Sequence, residues 1–237
     1  MLRRIVRQAR KHARRFRGLE YRAAKQVDVA HEQFGSEYGG WAVNTEGLGK
    51  DSIVYSCGLG GDITFDLAII DRLGVQVHGF DPTPEAIAYV NSEPRPPQFH
   101  LHPWGIAERD GTARFRKPVA RPKRQKIISQ NYSMIDASSS EGFIEVPVRR
   151  IRSIMDELGH DRIDVLKLDI EGAEYAVIPE LLDSGVLPRQ VLIEVHHHFK
   201  TVAVEQTRRL IEQLNDAGYR IFDVGVSWHD YSMIREG

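Results

Sequence analysis

Ile53-Val54-Tyr55-Ser56-Cys57-Gly58-Leu59-Gly60-Gly61-Asp62 is the stretch on which the fold class turns. Its first five residues read as a short buried strand. The glycines that follow allow the chain a tight turn. Beyond the turn, Ile63, Leu67, Ile70 and Leu73 lie on one helical face, and Gly74 is a natural C-terminal stop. Val75 to Phe80 reads as a second strand, closed by Asp81. Thr83 as N-cap and Pro84 at the first helical position open a helix to about Asn91, and a third strand covers Gln98 to His102.

The same alternation resumes further on. A helix is expected near Ile151 to Leu158, then strand Ile163 to Leu168, helix Ala173 to Leu182, strand Val191 to Val195 and helix Val204 to Ala217. Strands at Tyr219 to Val224 and near Ser232 to Arg235 complete it. Strands alternating with helices build a parallel sheet covered on both faces. The predicted class is therefore α/β, a Rossmann-like, doubly wound and mostly parallel sheet, occupying residues 51–237. Two expected strands, about 112–116 and 143–149, flank a segment at 117–142 rich in Arg, Lys, Pro, Ser and Gln. A connection of that length inside a domain is functional or unstructured. The functional version is an acceptor loop, whose basic side chains suit an acidic or phosphorylated acceptor.

Residues 1–24 read as a basic amphipathic helix, with Leu2, Ile5, Val6, Ala9, Ala13 and Phe16 at three- and four-residue steps. Residues 1–17 hold eight Lys or Arg and no acid, so all 33 acids lie in the remainder against 24 bases. Such a helix packs on the body or a partner, or lies on an anionic membrane surface. Aromatic residues are too sparse for a base-stacking platform, which disfavours nucleic acid. No apolar run of secretory type follows the charges, so the expected location is the cytoplasm, with peripheral membrane contact through residues 1–17. Residues 25–50, rich in glycine, are expected to form a linker or lid with short helical turns. The single cysteine, Cys57, excludes an internal disulfide framework and a cysteine-rich zinc site.

In a doubly wound sheet, ligands bind beyond the carboxyl ends of the strands at the switch point beside the first strand. That rule selects the turn carrying Gly58 and Gly60, then Asp81, then Asp169-Ile170-Glu171-Gly172, then Glu194-Val195-His196. A glycine turn whose amides open a helix suits a carboxylate or phosphate. An acid ending the second strand is placed to accept hydrogen bonds from ribose hydroxyls. The dinucleotide fingerprint fails at Ile63, and the phosphate loop fails because Gly49-Lys50 is followed by Asp51 and precedes the strand. S-adenosylmethionine is left as the favoured adenosine ligand. Asp169 and Glu171 share one side of an extended backbone, and Glu194 and His196 repeat the pattern on the next strand. Together they could bind a divalent ion or poise a base; the metal-free version is favoured. Glu174 reads equally as a helix-start anion. His197 and His198 read as exposed ring donors, and His100 and His102 as structural.

Val165-Leu166-Lys167-Leu168-Asp169-Ile170-Glu171-Gly172-Ala173-Glu174 resembles the signature of the FkbM-type S-adenosylmethionine-dependent methyltransferases. The resemblance extends through Val191 to His196, Gly218 to Phe222, Tyr55-Ser56-Cys57-Gly58 and Phe80 to Pro84. It implies a sheet of the class I methyltransferase type and O-methylation of a hydroxyl on a sugar or natural-product-like small molecule. The commoner first motif has an acid where this chain has Ser56. Ser56 can hydrogen-bond but brings no charge, so the cofactor would lean on Asp62 or Asp169. The expected cofactor contacts are thus Ser56, Gly58, Gly60, Asp62, Asp81 and Asp169. The expected catalytic residues are His196 as base, Glu194 as its orienting partner, and Glu171. The rival reading is a catalytically silent Rossmann-like scaffold tethered by its basic helix.

Overall fold

The computed structural model describes residues 16, 18, 20–37, 39–118 and 140–236. The strands are β1 (Glu32–Phe34), β2 (Trp41–Val43), β3 (Ile53–Cys57), β4 (Gln76–Phe80), β5 (Phe99–His102), β6 (Gly105–Ile106), β7 (Gly111–Pro118), β8 (Ser140–Arg149), β9 (Val165–Leu168), β10 (Gln190–Glu194), β11 (Tyr219–Val224) and β12 (Asp230–Arg235). The helices are α1 (Thr64–Leu73), α2 (Pro84–Ser92), α3 (Ile151–Leu158), α4 (Glu174–Asp183) and α5 (Val204–Asp216).

Seven strands form the main sheet in the order β11-β12-β10-β9-β3-β4-β5. Within it β3, β4, β5, β9 and β10 run parallel, and β12 is antiparallel to both β10 and β11. The chain moves outward from β3 to β5, then returns to lay β9 on the other side of β3. That reversal is the switch point of a Rossmann-like, doubly wound sheet. Cys57 is in register with Phe80 on one side and Leu168 on the other, so Gly58, Asp81 and Asp169 leave the sheet side by side.

Alternation along the strands divides the core. Val54, Val77, Val165 and Leu192 face Phe65 and Ile69 of α1, Val90 of α2, and Phe34, Trp41 and Val43. Tyr55, Leu166, Val191 and Ile193 face Ile154 of α3, Val177 and Leu181 of α4, and Leu210 and Leu214 of α5. Both faces of the central strands are covered, so their sequences read as nearly continuous apolar runs. Gly74 caps α1 in the left-handed conformation and donates its N–H to Ile70 O, as its sequence position predicts. A separate three-stranded sheet, β6-β8-β7, builds the flanks of the long connection. Most of residues 117–142 lies outside the described residues.

Two expectations for the N-terminal part need correction. The helix drawn to about Ala24 does not reach that far: residues 20–31 carry neither helix nor strand, and most of residues 1–19 lie outside the described residues. Residues 20–31 form a strap along the sheet edge instead. Ile221 O accepts the N–H groups of Gln26 and Val27 at 2.7 and 3.1 Å, and Gln26 Oε1 accepts Ile221 N–H at 2.8 Å. The second correction concerns residues 25–50, which contain no helix among the described residues. Antiparallel β1 and β2 pair there, and Trp41, Ala42 and Val43 are buried. The buried Gln190 amide grips Asn44 with a hydrogen bond in each direction. The segment is therefore part of the domain, because its apolar strand completes the cover over β3 and β10. No helix of the described residues is long and apolar enough to cross a membrane.

Candidate active site

The glycine turn is held from two sides. Gly58 adopts φ +82°, and a Cβ there would lie 1.7 Å from the backbone oxygen of Asp169. Gly58 O accepts the ammonium of the buried Lys167 at 3.0 Å, and Asp169 N–H donates to Cys57 O. Asp81 closes the other side. One of its oxygens accepts the N–H groups of Leu59 and Gly60 at 3.1 and 3.0 Å. The other accepts the N–H and hydroxyl of Thr83 at 2.9 and 2.6 Å. These four bonds fill the usual acceptor capacity of a carboxylate. Asp81 therefore builds the turn from beneath, and a ribose at this edge would share its oxygens with the turn amides.

Asp62 accepts Ser36 Oγ–H at 2.7 Å and Thr64 N–H at 2.8 Å, which ties the β1–β2 connection to the turn. Ser56 is fully buried against Asp66 of α1. Burial pushes the Asp66 carboxyl up to about 6, although Lys167 pulls the other way. Folded protein then keeps a proton that the unfolded chain releases near pH 4, so this group makes stability fall as pH rises from about 4 to about 6. Asp66→Asn is expected to abolish that slope and to raise stability at pH 7 by on the order of 2 kcal/mol. Urea unfolding at pH 4.5 and pH 7 measures it; an unchanged pH slope in the variant would clear Asp66 of the titration.

The charged centre lies at the ends of β9 and β10. After β9 the backbone turns sharply: Glu171 adopts φ +53° and Gly172 φ +98°. A left-handed glutamate carries strain of about 1–3 kcal/mol, of the kind found at working sites. The turn brings Glu171 Oε2 to 3.5 Å and Asp169 Oδ1 to 3.8 Å from Nε2 of His196. Glu174, the first residue of α4, is fully buried. Its Oε1 accepts the backbone N–H of His196 at 3.1 Å and the ring Nδ1–H at 3.0 Å, and its Oε2 accepts Gly172 N–H at 2.9 Å. Burial favours neutral imidazole, but Glu174, Glu171 and Glu194 outweigh it and raise His196 to about 10.

Glu194 and Asp230 are direct partners across the β10–β12 pair. Burial pushes both carboxyls up, and Asp169 adds to the effect. Behind His196 lies a second group. The Glu20 carboxylate, on the strap, sits 2.5 Å from Nε2 of His197 and 3.2 Å from Nε2 of His229. Burial works against its charge, yet the two imidazoles hold it well below the usual carboxylate range. A cavity of about 1110 Å³ between strap and α5 borders His197 and His198.

The structure thus brings Asp169, Glu171, Glu194 and His196 into one cluster beside Gly58, and Gly60 and Asp81 into the adjoining turn. Three roles change. The partner that orients His196 is Glu174, because α4 starts beneath the ring, and Glu194 instead pairs with Asp230. His196 is a poor base, because carboxylates face both ring nitrogens and its side chain is 2% exposed. His197 is buried rather than exposed, although His198 is exposed as expected. His78, His100 and His102 stack on a sheet face away from this cluster, with His102 against Phe80 and Trp104.

Comparison with known proteins identifies the family. A family model described as the methyltransferase FkbM domain matches residues 59–221. The chain belongs to the FkbM methyltransferase family. Over 73% of this chain it is 29% identical to the human protein named "Probable methyltransferase-like protein 24", and it spans 42% of that protein's length. A crystal structure of methyltransferase FkbM from Methylobacillus flagellatus KT aligns with a TM-score of 0.45 and 14% identity, covering 78% of this chain and 44% of that one. Aeropyrum pernix fibrillarin, in complex with natively bound S-adenosyl-L-methionine, aligns with a TM-score of 0.44 and 12% identity, over 88% of this chain and 83% of that one. Within the FkbM domain, residues 167–174 and 194–196 form one connected charged unit. Sequence reasoning undervalued Glu174 and missed Glu20 and Asp230. No local spacing links Glu20 to His197, 177 residues away.

Proposed function

We propose that the protein is an S-adenosylmethionine-dependent methyltransferase acting on a hydroxyl of a sugar or natural-product-like small molecule. One observation carries the reading: the Asp169 and Glu171 carboxylates converge on His196 immediately beside the Gly58 turn, which Asp169 O itself buttresses. A cofactor at the turn and an acceptor at the carboxylates would share one crevice.

The residues fit such a cofactor. Only glycine suits position 58, and a Cβ at Gly60 would meet nothing within 4 Å, so the turn presents bare backbone on its outer side. Gly60, Asp62 and Asp81 would line its adenosine and methionine ends, with Asp169 nearest the amino group. S-adenosylmethionine supplies an electrophilic methyl on a sulfonium sulfur. The chain's own contribution is chiefly alignment, which can account for much of the rate of an in-line displacement. Asp169 and Glu171 orient the acceptor hydroxyl and accept its proton as the carbon–oxygen bond forms. When bound, S-adenosylmethionine would give up only the methyl and keep the electron pair of the carbon–sulfur bond on sulfur. His196 acts from behind as a positioning residue that keeps the two carboxylates together and charged. The basic composition of residues 117–142 suits an acidic or phosphorylated acceptor, and that of residues 1–17 suits peripheral membrane contact of a cytoplasmic enzyme.

Calorimetric titration with S-adenosylmethionine, NAD and ATP tests the cofactor, and a panel of sugar and natural-product alcohols tests the acceptor. Micromolar binding of S-adenosylmethionine alone, with S-adenosylhomocysteine released on alcohol addition, is the expected result. Binding of NAD in its place, or methyl transfer confined to amines, would overturn the assignment.

A further inference from the structure

We infer that Asp169, Glu171 and Nε2 of His196 form a divalent-cation site that the methyl-transfer reaction uses to hold the acceptor oxygen. The inference rests on the methyl-transfer reading above and adds a ligand to the same centre.

Three observations carry it. First, one carboxylate oxygen from each acid and the imidazole nitrogen all lie within 4.8 Å of one another. Nε2 stands 3.5 Å from Glu171 and 3.8 Å from Asp169. Donors bound at about 2.0–2.2 Å to one ion at near-right angles are spaced by roughly 3 Å, so a small inward movement completes the set, the ion taking the place of the Nε2 proton, which leaves to solvent. Second, Asp169 Oδ1 is shut off from solvent and has no hydrogen-bond partner. A buried oxygen of that kind is costly unless something satisfies it. Third, the outer contact is already in place. Glu174 holds Nδ1–H at 3.0 Å, which turns Nε2 toward the two acids, and this carboxylate–histidine pairing is the usual support for a metal-bound imidazole.

Two carboxylates and one imidazole, with no thiolate, suit Mn²⁺ or a similar divalent ion better than a soft metal. Three protein donors from one side leave coordination positions open, as in catalytic rather than structural sites. An acceptor hydroxyl entering one of them would lose its proton more readily. The proton passes to the carboxylate oxygen that Asp169 or Glu171 does not give to the ion. Oxygen then bonds to the methyl carbon, and sulfur keeps the pair from the broken bond.

The test is electron paramagnetic resonance of the full chain titrated with Mn²⁺, with turnover followed separately. Wild-type protein should remove free Mn²⁺ with one-to-one stoichiometry. Asp169→Asn and Glu171→Gln, each checked for an unchanged unfolding transition, should weaken binding at least tenfold. Loss of the outer contact in Glu174→Gln should weaken it about 10–100-fold. His229→Gln, which breaks the separate group around Glu20, should bind as wild type. Chelator should stop alcohol methylation, and Mn²⁺ should restore it. The inference falls if wild type leaves millimolar Mn²⁺ free, if His229→Gln loses binding instead of Asp169→Asn, or if chelated protein methylates at full rate. S-adenosylmethionine titration of chelated protein keeps the readings apart. Cofactor binding without Mn²⁺ uptake sinks the cation site alone, and Mn²⁺ uptake without cofactor binding sinks the methyltransferase assignment.

Discussion

Gly58→Ala is expected to be among the most damaging single substitutions in the chain. The new Cβ would sit 1.7 Å from Asp169 O and 2.8 Å from its carbonyl carbon. Both are backbone atoms of the neighbouring strand's end, so no rotamer change relieves the overlap. The φ of +82° adds roughly 1–2 kcal/mol for a residue with a Cβ. Relief requires parting the ends of β3 and β9, where Asp169 N–H donates to Cys57 O at 3.0 Å. A loss above about 4 kcal/mol, exceptional for a point change, is expected. It would consume much of the ~5–15 kcal/mol that holds a domain folded. Gly60→Ala is the internal control: its φ is +52°, but a Cβ there meets nothing within 4 Å, so only the roughly 1–2 kcal/mol of conformational strain is expected. Urea midpoints for the two variants decide the matter, and equal midpoints would refute the steric account.

Glu174→Ala should do comparable harm at the charged centre and should also abolish most turnover. Glu174 is fully exposed to nothing but protein: it is 0% accessible and accepts Gly172 N–H, His196 N–H and His196 Nδ1–H. Truncation strands the buried Gly172 N–H and His196 Nδ1–H, leaves His196 N–H only the Tyr175 hydroxyl at 3.0 Å, and removes the anion that opposes a buried imidazolium. Breaking a buried pair from one side costs about 3–5 kcal/mol. Freed of Nδ1, the ring of His196 no longer fixes Nε2 against Asp169 and Glu171, and a displacement of about 1 Å at such a site can cost around 10²-fold in rate. Glu174→Gln separates the two effects. Its amide oxygen can still accept from His196, but its NH₂ meets the Gly172 N–H donor to donor. The glutamine variant should keep more turnover than the alanine variant and still lose stability. Full activity in Glu174→Ala would remove His196 from any positioning role.

The order of strands and helices was legible because burial writes itself locally. Val54, Tyr55 and Val77 alternate between two covered faces, and Gly74 ends α1 where a left-handed residue is needed. The positions of Asp81 and Asp169 were legible for the same reason, each directly following the end of a strand, with Glu171 two residues further on. What escaped depends on contacts that cross the sequence. Glu174 looks like an ordinary first-turn anion, and only the packing of α4 against β10 turns it toward His196. Ser56 and Asp62 sit where a cofactor contact is expected, yet their side chains face Asp66, and Ser36 and Thr64, because α1 and the β1–β2 connection pack against that side of the turn. The hairpin of residues 32–43 gave a weak signal because its strands are three residues each. Too short to show a period, they are recognisable only once Trp41 is seen buried against the sheet.

The Glu20 contact has a consequence for how such chains are joined and divided. Glu20 reaches a histidine that directly follows His196, so the segment entering the domain and the back wall of its reacting centre are one piece of architecture. Exchanging the leader of one relative for that of another would import or remove a buried anion, and two histidines would register the change before any substrate arrived. Grafts cut between residues 16 and 20 and those cut just after residue 20 should therefore behave as different proteins, although they differ by only a few residues of sequence.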